Sequence, residues 1–153
     1  MVTWKAFAVA EPALAEIGRL LLFQFSVGLG FLATVRRDGA PRLHPVCPVL
    51  SGESLYVLVT PTSPKANDLF RDGRYALQSF PQPKPGSDEF FISGKVEPVT
   101  DAAARASILR DATHMADASE AVFELLVDRV MHTRWENVLT PQMRSLHTKW
   151  RAP

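Results

Sequence analysis

The stretch "GFLATVRRDGAPRLHPV", residues 30–46, decides the fold class of this chain. Phe31, Ala33 and Val35 recur at every second position, and a period of two is typical of a β-strand. Asp38 and Gly39 follow, and this dipeptide is the strongest short-range signal for a β-hairpin. The stretch therefore predicts two antiparallel strands joined by a tight turn.

The flanking sequence predicts further short strands and helices. Strands are expected over about residues 29–35, 42–50, 55–59, 74–80, 88–99, 121–136 and 144–150, and helices over about residues 12–25, 64–71 and 101–114. Thr100 is the expected N-cap of the third helix. The first three strands, linked by tight turns, would form an antiparallel meander. Six or seven closely spaced antiparallel strands favour a barrel, so the predicted fold class is mainly β with three short flanking helices.

Two prolines, Pro45 and Pro48, interrupt the second predicted strand. Proline has no N–H to donate to a sheet, so this strand is expected at a sheet edge or with a bulge. Part of its backbone would then stay free of sheet pairing. Gly94 marks a second irregularity and predicts a bulge in the strand over residues 88–99.

The stretch "LVTPTSPKANDLF", residues 58–70, joins an apolar strand to a helix through a polar turn that contains Thr60. Ser63 is followed by proline, and this order predicts an N-cap and the first helical residue. A helix N-terminus attracts anions, and Lys65 adds a positive charge that opposes the helix dipole unless an anion lies between them. Arg42 on the preceding hairpin would add a second cation for a phosphate group. A capped helix with a solvated lysine is the alternative.

Three segments together resemble the pyridoxamine 5′-phosphate oxidase-like family of flavin-binding split barrels. They are "GFLATVRRDGAPRLHPV", "LYVLVTPTSPKANDLFRDGRYALQSF" and "FFISGKVEPVTD", and the resemblance is good over residues 28–101 and loose elsewhere. It implies a six-stranded antiparallel split barrel of Greek-key-like topology, formed by residues 1–153 as one domain. It also implies a homodimer that binds flavin mononucleotide (FMN) in two clefts at the dimer interface. The expected dimer surfaces are the strand with Val46, Val49 and Leu50 and the strand over residues 121–136.

The same resemblance implies where the cofactor would lie. One strand of the family follows the isoalloxazine ring and the phosphate tail, and the matching residues here are Arg42, Leu43, His44, Pro45 and Val46. Ser63 and Lys65 would bind the phosphate, with Thr60 beside them. Tryptophans line a flavin ring in some proteins and fill the core in others, and Trp135 and Trp150 are the candidates here. No residue is assigned as a catalytic acid or base.

Two departures from the family pattern limit the activity that we expect. Many members carry a basic residue where this chain has Pro64, so one phosphate ligand is missing. The segment "RSLH", residues 144–147, is one residue longer than the Arg-Leu-His segment that binds substrate in the oxidases proper, so oxidation of pyridoxamine 5′-phosphate is not expected. The expected function is that of an FMN-dependent oxidoreductase acting on an unidentified small molecule. The alternatives are a deazaflavin-dependent reductase, a non-catalytic flavin- or haem-binding protein, and a structural dimer.

The composition argues against several other classes of function. The chain has 153 residues, of which 46% are hydrophobic, and a formal net charge of +1, which gives no electrostatic reason to expect nucleic acid or an anionic membrane as a partner. One cysteine cannot form an internal disulfide, and no apolar run reaches the ~18 residues of a membrane-spanning helix, so a cytoplasmic location is expected. The four histidines, His114 among them, lack metal-binding spacing, and no metal site is expected.

Overall fold

The computed structural model describes residues 1–112 and 116–153. Its helices are α1 (Trp4–Ala10), α2 (Pro12–Leu22), α3 (Pro64–Arg71) and α4 (Ala102–Asp111). Its strands are β1 (Gly30–Val35), β2 (Pro41–Val46), β3 (Pro48–Ser51), β4 (Ser54–Val59), β5 (Arg74–Ser79), β6 (Glu89–Pro98), β7 (Ala121–Glu136) and β8 (Arg144–Arg151). The predicted end of the third helix, with His114, lies outside the described residues. In the two described ranges, no helix is both long enough and apolar enough to cross a membrane.

The strands form an antiparallel sheet that closes on itself. Their order is β2-β1-β5-β6-β7-β4-β3, and β8 pairs with β7 beyond this path. Only Cys47 separates β2 from β3, so the chain itself joins the two ends of the sheet order. Counted as one bent strand, β2 and β3 complete a barrel of six strands, to which β8 is added. The prediction of a six-stranded antiparallel split barrel is confirmed.

The predicted meander of the first three strands is present, but its middle strand is bent and divided. The expected strand over residues 42–50 is divided at Cys47, and its halves have different neighbours, because β2 pairs with β1 and β3 pairs with β4. Pro45 and Pro48 flank the division, and neither can donate an N–H to a ladder. Both halves lie at an end of the sheet order, so the expected edge position is confirmed.

Two helix starts differ from the sequence-based expectation. The sequence patterns did not predict α1, although Thr3 accepts a capping hydrogen bond and Trp4 and Phe7 are buried three residues apart on one helical face. The N-cap of α4 is Asp101 rather than Thr100, because the Asp101 carboxylate accepts a hydrogen bond from a backbone N–H of the first turn at 2.7 Å. Both cases follow ordinary capping chemistry.

Two glycines allow close contacts that a side chain would prevent. A Cβ at Gly18 of α2 would lie 2.3 Å from the ring of Phe90, which is fully buried in β6. A Cβ at Gly94 would lie 1.9 Å from the carbonyl oxygen of Leu126 in β7. The β6–β7 register shifts between Ser93 and Gly94, so the predicted bulge is confirmed.

The core fixes the positions of the helices that matter for the site. Six of the large side chains that are fully buried are Phe7, Phe90, Phe123, Leu77, Ile92 and Leu125. α3 contributes Ala66 and Leu69 to this same cluster, and its position relative to the barrel is therefore set by apolar packing. A smaller cluster beneath α4 includes Val49, Leu58, Ile108 and Val122.

Candidate functional site

Strand β2 directs Arg42 and His44 towards the interior of the barrel. In the register with β1, Arg42 lies opposite Thr34, and His44 lies opposite Leu32. Residues directly opposite share a face of the sheet, and Thr34 and Leu32 are both buried. Val46 follows on this face and is buried as well. The strand that was predicted to follow the ring thus holds two half-buried polar side chains on its inner side.

Leu43 and Pro45 occupy the opposite side of β2. They pair with Ala33 and Phe31 of β1, and Phe31 stacks on Phe80 with ring centroids 4.2 Å apart. The Leu43 residue is 63% exposed, and Pro45 is exposed as well. Phe31, Ala33, Leu43 and Pro45 therefore form an apolar surface on the outside of the sheet, which we call the outer apolar face.

The residues that the sequence suggested for a dimer contact are largely covered within the chain. Val46 and Val49 are buried in its own core clusters, Leu50 is half-buried, and β7 is paired with β4, β6 and β8 along its length. Side chains that already pack inside one chain cannot also contact a second copy. The expectation for Val46 and Val49 is therefore wrong, and the outer apolar face is the better candidate.

The turn from β4 to α3, together with the first turn of α3, contains three predicted site residues but few free backbone donors. The Ser63 Oγ accepts a hydrogen bond from the Ala66 N–H at 3.3 Å, and the Ser63 N–H donates to the Thr60 carbonyl at 2.9 Å. Pro64 has no N–H, which leaves the Lys65 N–H as the donor of the first turn with no recorded partner in the described part of the chain. An anion at this turn could use the Lys65 side chain and the Ser63 hydroxyl, but fewer N–H groups than most helix N-termini offer.

Asp68 of α3 binds two arginines and one hydroxyl. Its side chain is 4% exposed. Its Oδ2 accepts hydrogen bonds from the Thr34 hydroxyl at 2.9 Å and from Arg42 Nε at 2.7 Å. Its Oδ1 accepts one from Arg71 Nη1 at 3.3 Å, and Arg71 Nη2 donates to the Val35 carbonyl. Asp68 therefore ties the β1–β2 hairpin to α3 and fixes the position of Arg42.

The pKa of Asp68 lies below the usual value for a carboxyl group. Burial by itself raises this pKa, but hydrogen bonds from Arg42 and Thr34, the charge of Arg42 and a further hydrogen bond from Arg71 together outweigh burial. Asp68 is therefore ionised at neutral pH, and Arg42 keeps a charged partner.

A cleft with a volume of about 410 Å³ lies between the β1–β2 hairpin and α3. It is lined by Arg36, Arg37, Asp38, Arg42, Pro64, Asn67, Asp68 and Arg71, and we call it the arginine cleft. Of these residues, the sequence had indicated only Arg42 as a ligand. The adjacent Arg36 and Arg37 before the turn were a usable signal, but no local pattern shows that α3 packs against this hairpin.

Trp135 lies apart from the other predicted site residues. It is half-buried, it pairs with Ser145 of β8, and β1, β5 and β6 separate β7 from β2 in the sheet order. No sheet pairing therefore brings Trp135 next to Arg42 or His44 of the same chain. The ring of Trp150 packs against Phe7 with centroids 5.0 Å apart, which is a core contact.

The sequence matches one protein-family model over most of its length. The model is described as pyridoxamine 5'-phosphate oxidase, and the match covers residues 23–134. It includes both the β1–β2 hairpin and the turn before α3. A search of curated proteins found no match.

Several solved structures are similar to the barrel. A haem-binding protein from Mycobacterium smegmatis aligns with a TM-score of 0.60 and 23% identity, over 82% of this chain and 55% of that chain. An F420 reductase aligns with a TM-score of 0.51 and 21% identity, over 65% and 85% of the two chains. A candidate pyridoxamine 5'-phosphate oxidase from Listeria innocua aligns with a TM-score of 0.57 and 20% identity, over 86% and 96%. This chain spans little more than half the length of the haem-binding protein, and identities this low show a shared fold only.

Proposed function

The chain belongs to the pyridoxamine 5′-phosphate oxidase family, and on this basis we propose that it is an FMN-dependent oxidoreductase that works as a homodimer. In this proposal the flavin ring lies along β2, and Arg42, His44 and Val46 face the same side of that strand. The phosphate lies near Ser63 and Lys65. The substrate is a small molecule.

The proposal rests on one observation: cationic side chains lie beside an unpaired strand edge. β2 ends the sheet order, so one of its edges makes no ladder within the sheet of described strands. The N–H and C=O groups of that edge suit the polar rim of a planar ring. The Asp68 contact holds Arg42 against α3, the helix that also carries Lys65. Charged donors make the strongest hydrogen bonds to phosphate. The free edge of β2 therefore suits the flavin ring, and the cations Arg42 and Lys65 suit the phosphate.

The chemistry would be divided between the cofactor and the protein. A bound flavin supplies hydride and electron transfer, and the protein binds and orients it. Leu43 and Pro45 would keep water from one side of β2. A second copy of the chain would supply Trp135 to the ring, since the same copy does not bring this residue to β2.

We expect the protein to bind FMN at least about tenfold more tightly than riboflavin. The reason is that a charge-assisted contact to the phosphate contributes about 1.5–3 kcal/mol. Lys65→Ala should remove most of this preference, because the substitution deletes one of the proposed phosphate cations. Titration of both flavins, followed by quenching of flavin fluorescence, measures the preference directly.

Lys84→Ala is the matched control, because Lys84 is an exposed lysine in the loop before β6. It should leave both affinities unchanged. Equal affinity of the parent protein for FMN and riboflavin would remove the phosphate site from the proposal. A Lys65→Ala variant that unfolds more easily without flavin would show that Lys65 is structural.

A deazaflavin-dependent reductase is the second candidate, because the F420 reductase shares the fold over 85% of its own length. The haem-binding protein suggests a third ligand, although this chain spans only 55% of it. Absorbance of the purified protein separates the three. Released FMN supports the main proposal, a deazaflavin spectrum supports the second, and a Soret band supports haem.

A cytoplasmic location forms part of the proposal. It is supported by the single cysteine, Cys47, which cannot form a disulfide within the chain. A reducing compartment would also supply reduced carriers for a flavin enzyme.

A further inference from the structure

We propose that the outer face of β5, β6, β7 and β8 binds the polyphosphate group of a nucleotide, at a site outside the cleft proposed for the flavin. Five cations share this face, and we call them the cationic band: Arg74, Lys95, Arg129, Lys149 and Arg151. The site is assigned from the cross-strand positions of these cations, the two clefts that they line and an apolar pair beside them. It does not require a flavin.

Two pairs of these cations lie directly opposite each other on neighbouring strands. Arg74 of β5 pairs with Lys95 of β6, and Arg129 of β7 pairs with Arg151 of β8. Like charges in directly opposite positions destabilise a sheet. An anion bound between such charges turns the repulsion into attraction, so this arrangement favours a bound anion at both pairs.

The cationic band lines two neighbouring clefts that share Arg129. One cleft has a volume of about 500 Å³ and includes Arg74 and Lys95, and the other has a volume of about 420 Å³ and includes Lys149 and Arg151. Adjacent strands lie about 4.8 Å apart, so three strand spacings separate Arg74 from Arg151 by about 14 Å. The cations are therefore spread over a length that suits linked phosphates better than a single one.

The carboxylates near the band balance only part of its charge. Asp128 is the one carboxylate among the described residues that line the two clefts, and its contact with Arg129 is an exposed ion pair at 3.4 Å. Asp72 accepts a hydrogen bond from Arg74 Nε at 2.6 Å. Five cations against two carboxylates leave three positive charges, which exceeds the formal net charge of +1 for the whole chain. Such a surface raises the local concentration of anions.

An apolar pair beside the band suits the base of a nucleotide. Phe91 of β6 lies directly opposite Met131 of β7, and both are half-buried and line the smaller cleft. An aromatic ring offers its face to a planar base, and methionine adapts to irregular shapes. Met131 and Arg129 are two residues apart on one strand, about 7 Å. One molecule can therefore contact the apolar pair with its base and the cations with its phosphates.

A nucleoside polyphosphate fits this arrangement better than an acidic peptide. Linked phosphates place several negative charges on adjacent tetrahedral centres, and charged donors bind phosphate oxygens strongly. A peptide carries its carboxylates on separate, flexible side chains and has no planar base for the apolar pair. The nucleotide can be a free nucleoside polyphosphate or one half of a dinucleotide, and neither source depends on the proposed function.

The test is a calorimetric titration of the purified protein with adenosine 5′-diphosphate (ADP) and with pyrophosphate, at low ionic strength. Arg129→Gln should weaken the binding of both about tenfold or more, because Arg129 lines both clefts and its charge-assisted contact is lost. Arg151→Gln should also weaken both, and without ligand it should be at least as stable as the parent because it removes one of two opposed like charges.

Phe91→Leu tests the base contact separately. It should weaken ADP binding about threefold or more and leave pyrophosphate binding unchanged, because only the contact with a planar ring is lost. An unchanged preference for ADP over pyrophosphate in this variant would contradict a nucleotide as the occupant.

Arg110→Gln is the matched control for the charge. It removes a guanidinium group from an exposed position on α4, outside both clefts, and should leave both affinities within about twofold since screening limits distant charges. Citrate is the control ligand, because it carries several negative charges but no phosphate and no ring. Equal losses in Arg129→Gln and Arg110→Gln, equal binding of citrate and ADP, or no binding of ADP would overturn the proposal.

Two further measurements separate this site from the proposed flavin site. Arg129→Gln should leave FMN affinity within about twofold, and Lys65→Ala should leave ADP affinity within about twofold. ADP binding without any flavin binding would support the cationic band and contradict the proposed function. FMN binding that depends on Lys65, with no response to ADP, would do the reverse. Displacement of ADP by adenosine triphosphate but not by a nicotinamide dinucleotide would identify a free nucleotide, and displacement by the dinucleotide would identify the other source.

Discussion

At the scale of single residues, Asp68 links three elements through one carboxylate. It accepts side-chain hydrogen bonds from Thr34 of β1, Arg42 of β2 and Arg71 of α3. A buried carboxylate is costly unless charged or polar donors surround it, and here two cations and a hydroxyl do so. The same group therefore stabilises the fold and sets the direction of the Arg42 side chain.

Asp68→Asn should lower the free energy of unfolding by about 1–3 kcal/mol at pH 7, because the amide cannot accept all three hydrogen bonds and carries no charge. Urea denaturation of the parent and the variant measures the difference. Asp38→Asn is the control, because Asp38 forms an exposed ion pair with Arg36 and accepts one exposed hydrogen bond from the Ala40 N–H, which an amide oxygen can still accept. This substitution should cost about 0–1 kcal/mol.

The stability difference between the parent and Asp68→Asn should depend on pH. The pKa of Asp68 in the folded chain lies below the unfolded value of about 3.9, so its contribution is fully present above that pH. The contribution is lost as the pH falls through the folded pKa. The difference measured at pH 7 should therefore shrink below about pH 4. A difference that stayed constant down to the acid unfolding transition would contradict the ionised form of Asp68.

Local pattern predicts some of the site residues but not their arrangement. Ser63 was predicted as an N-cap because capping depends on neighbouring residues only, and the structure has that cap. The Arg42–Asp68 contact joins residues from a strand and a later helix, and its existence depends on how these elements pack. Arg71 was not predicted as a cleft residue for the same reason, because its place in the arginine cleft depends on how α3 packs against the hairpin. The sequence thus indicated cations near α3 without showing which face of α3 they line.

At the scale of elements, the alternation of apolar residues predicts the strands well. The exception is the bend at Cys47. The strand over residues 42–50 looked continuous because no glycine, asparagine or aspartate that would signal a turn lies between its two halves. The strand is divided at Cys47 because β2 pairs with β1 whereas β3 pairs with β4. This pairing is determined by the closing of the barrel and not by local strand propensity. α1 was missed because its seven residues span only about two helical turns, which is shorter than the window of about 11–18 residues in which helical periodicity is read.

The packing of α2 on the barrel gives a test at this scale. Gly18→Ala should destabilise the protein by about 1–3 kcal/mol, because the new methyl group meets the buried ring of Phe90. The usual preference of a helix for alanine, about 1 kcal/mol, acts in the opposite direction. Urea denaturation decides the sign.

Phe90→Leu supplies the control for the Gly18 prediction. In that background the smaller side chain leaves room, so Gly18→Ala should cost less than it does in the parent protein. Equal costs in the two backgrounds would show that another contact causes the effect, and a stabilised Gly18→Ala variant would contradict a tight helix–barrel contact.

At the scale of the whole molecule, the outer apolar face is our candidate for part of the homodimer contact. It joins Leu43 and Pro45 of β2 to Phe31 and Ala33 of β1 in one continuous patch. Stable dimers of this kind bury about 2,000 Å² or more, with core-like packing, so the face would form only part of the contact.

Leu43→Glu should raise the dissociation constant of the proposed homodimer at least about tenfold, because it places a charge in an apolar contact. Sedimentation velocity over a dilution series measures this constant. Leu20→Glu is the matched control, since Leu20 on α2 is 54% exposed but lies outside the outer apolar face. Dimers of equal stability in all three proteins would place the interface elsewhere.

The single-residue junction at Cys47 has a kinetic consequence. Hairpins such as β1–β2 and β3–β4 join neighbouring residues, so they can form early in folding. The barrel closes only when β4 meets β7, and closing such a long loop is slow because its entropy is lost before the contacts form. All-β chains with such distant pairings fold on the order of milliseconds to seconds. β2 and β3 take up their final positions relative to each other only at that closing step. The strand proposed to carry the flavin is therefore completed late. A newly made chain would then bind its cofactor after the rest of the chain has folded.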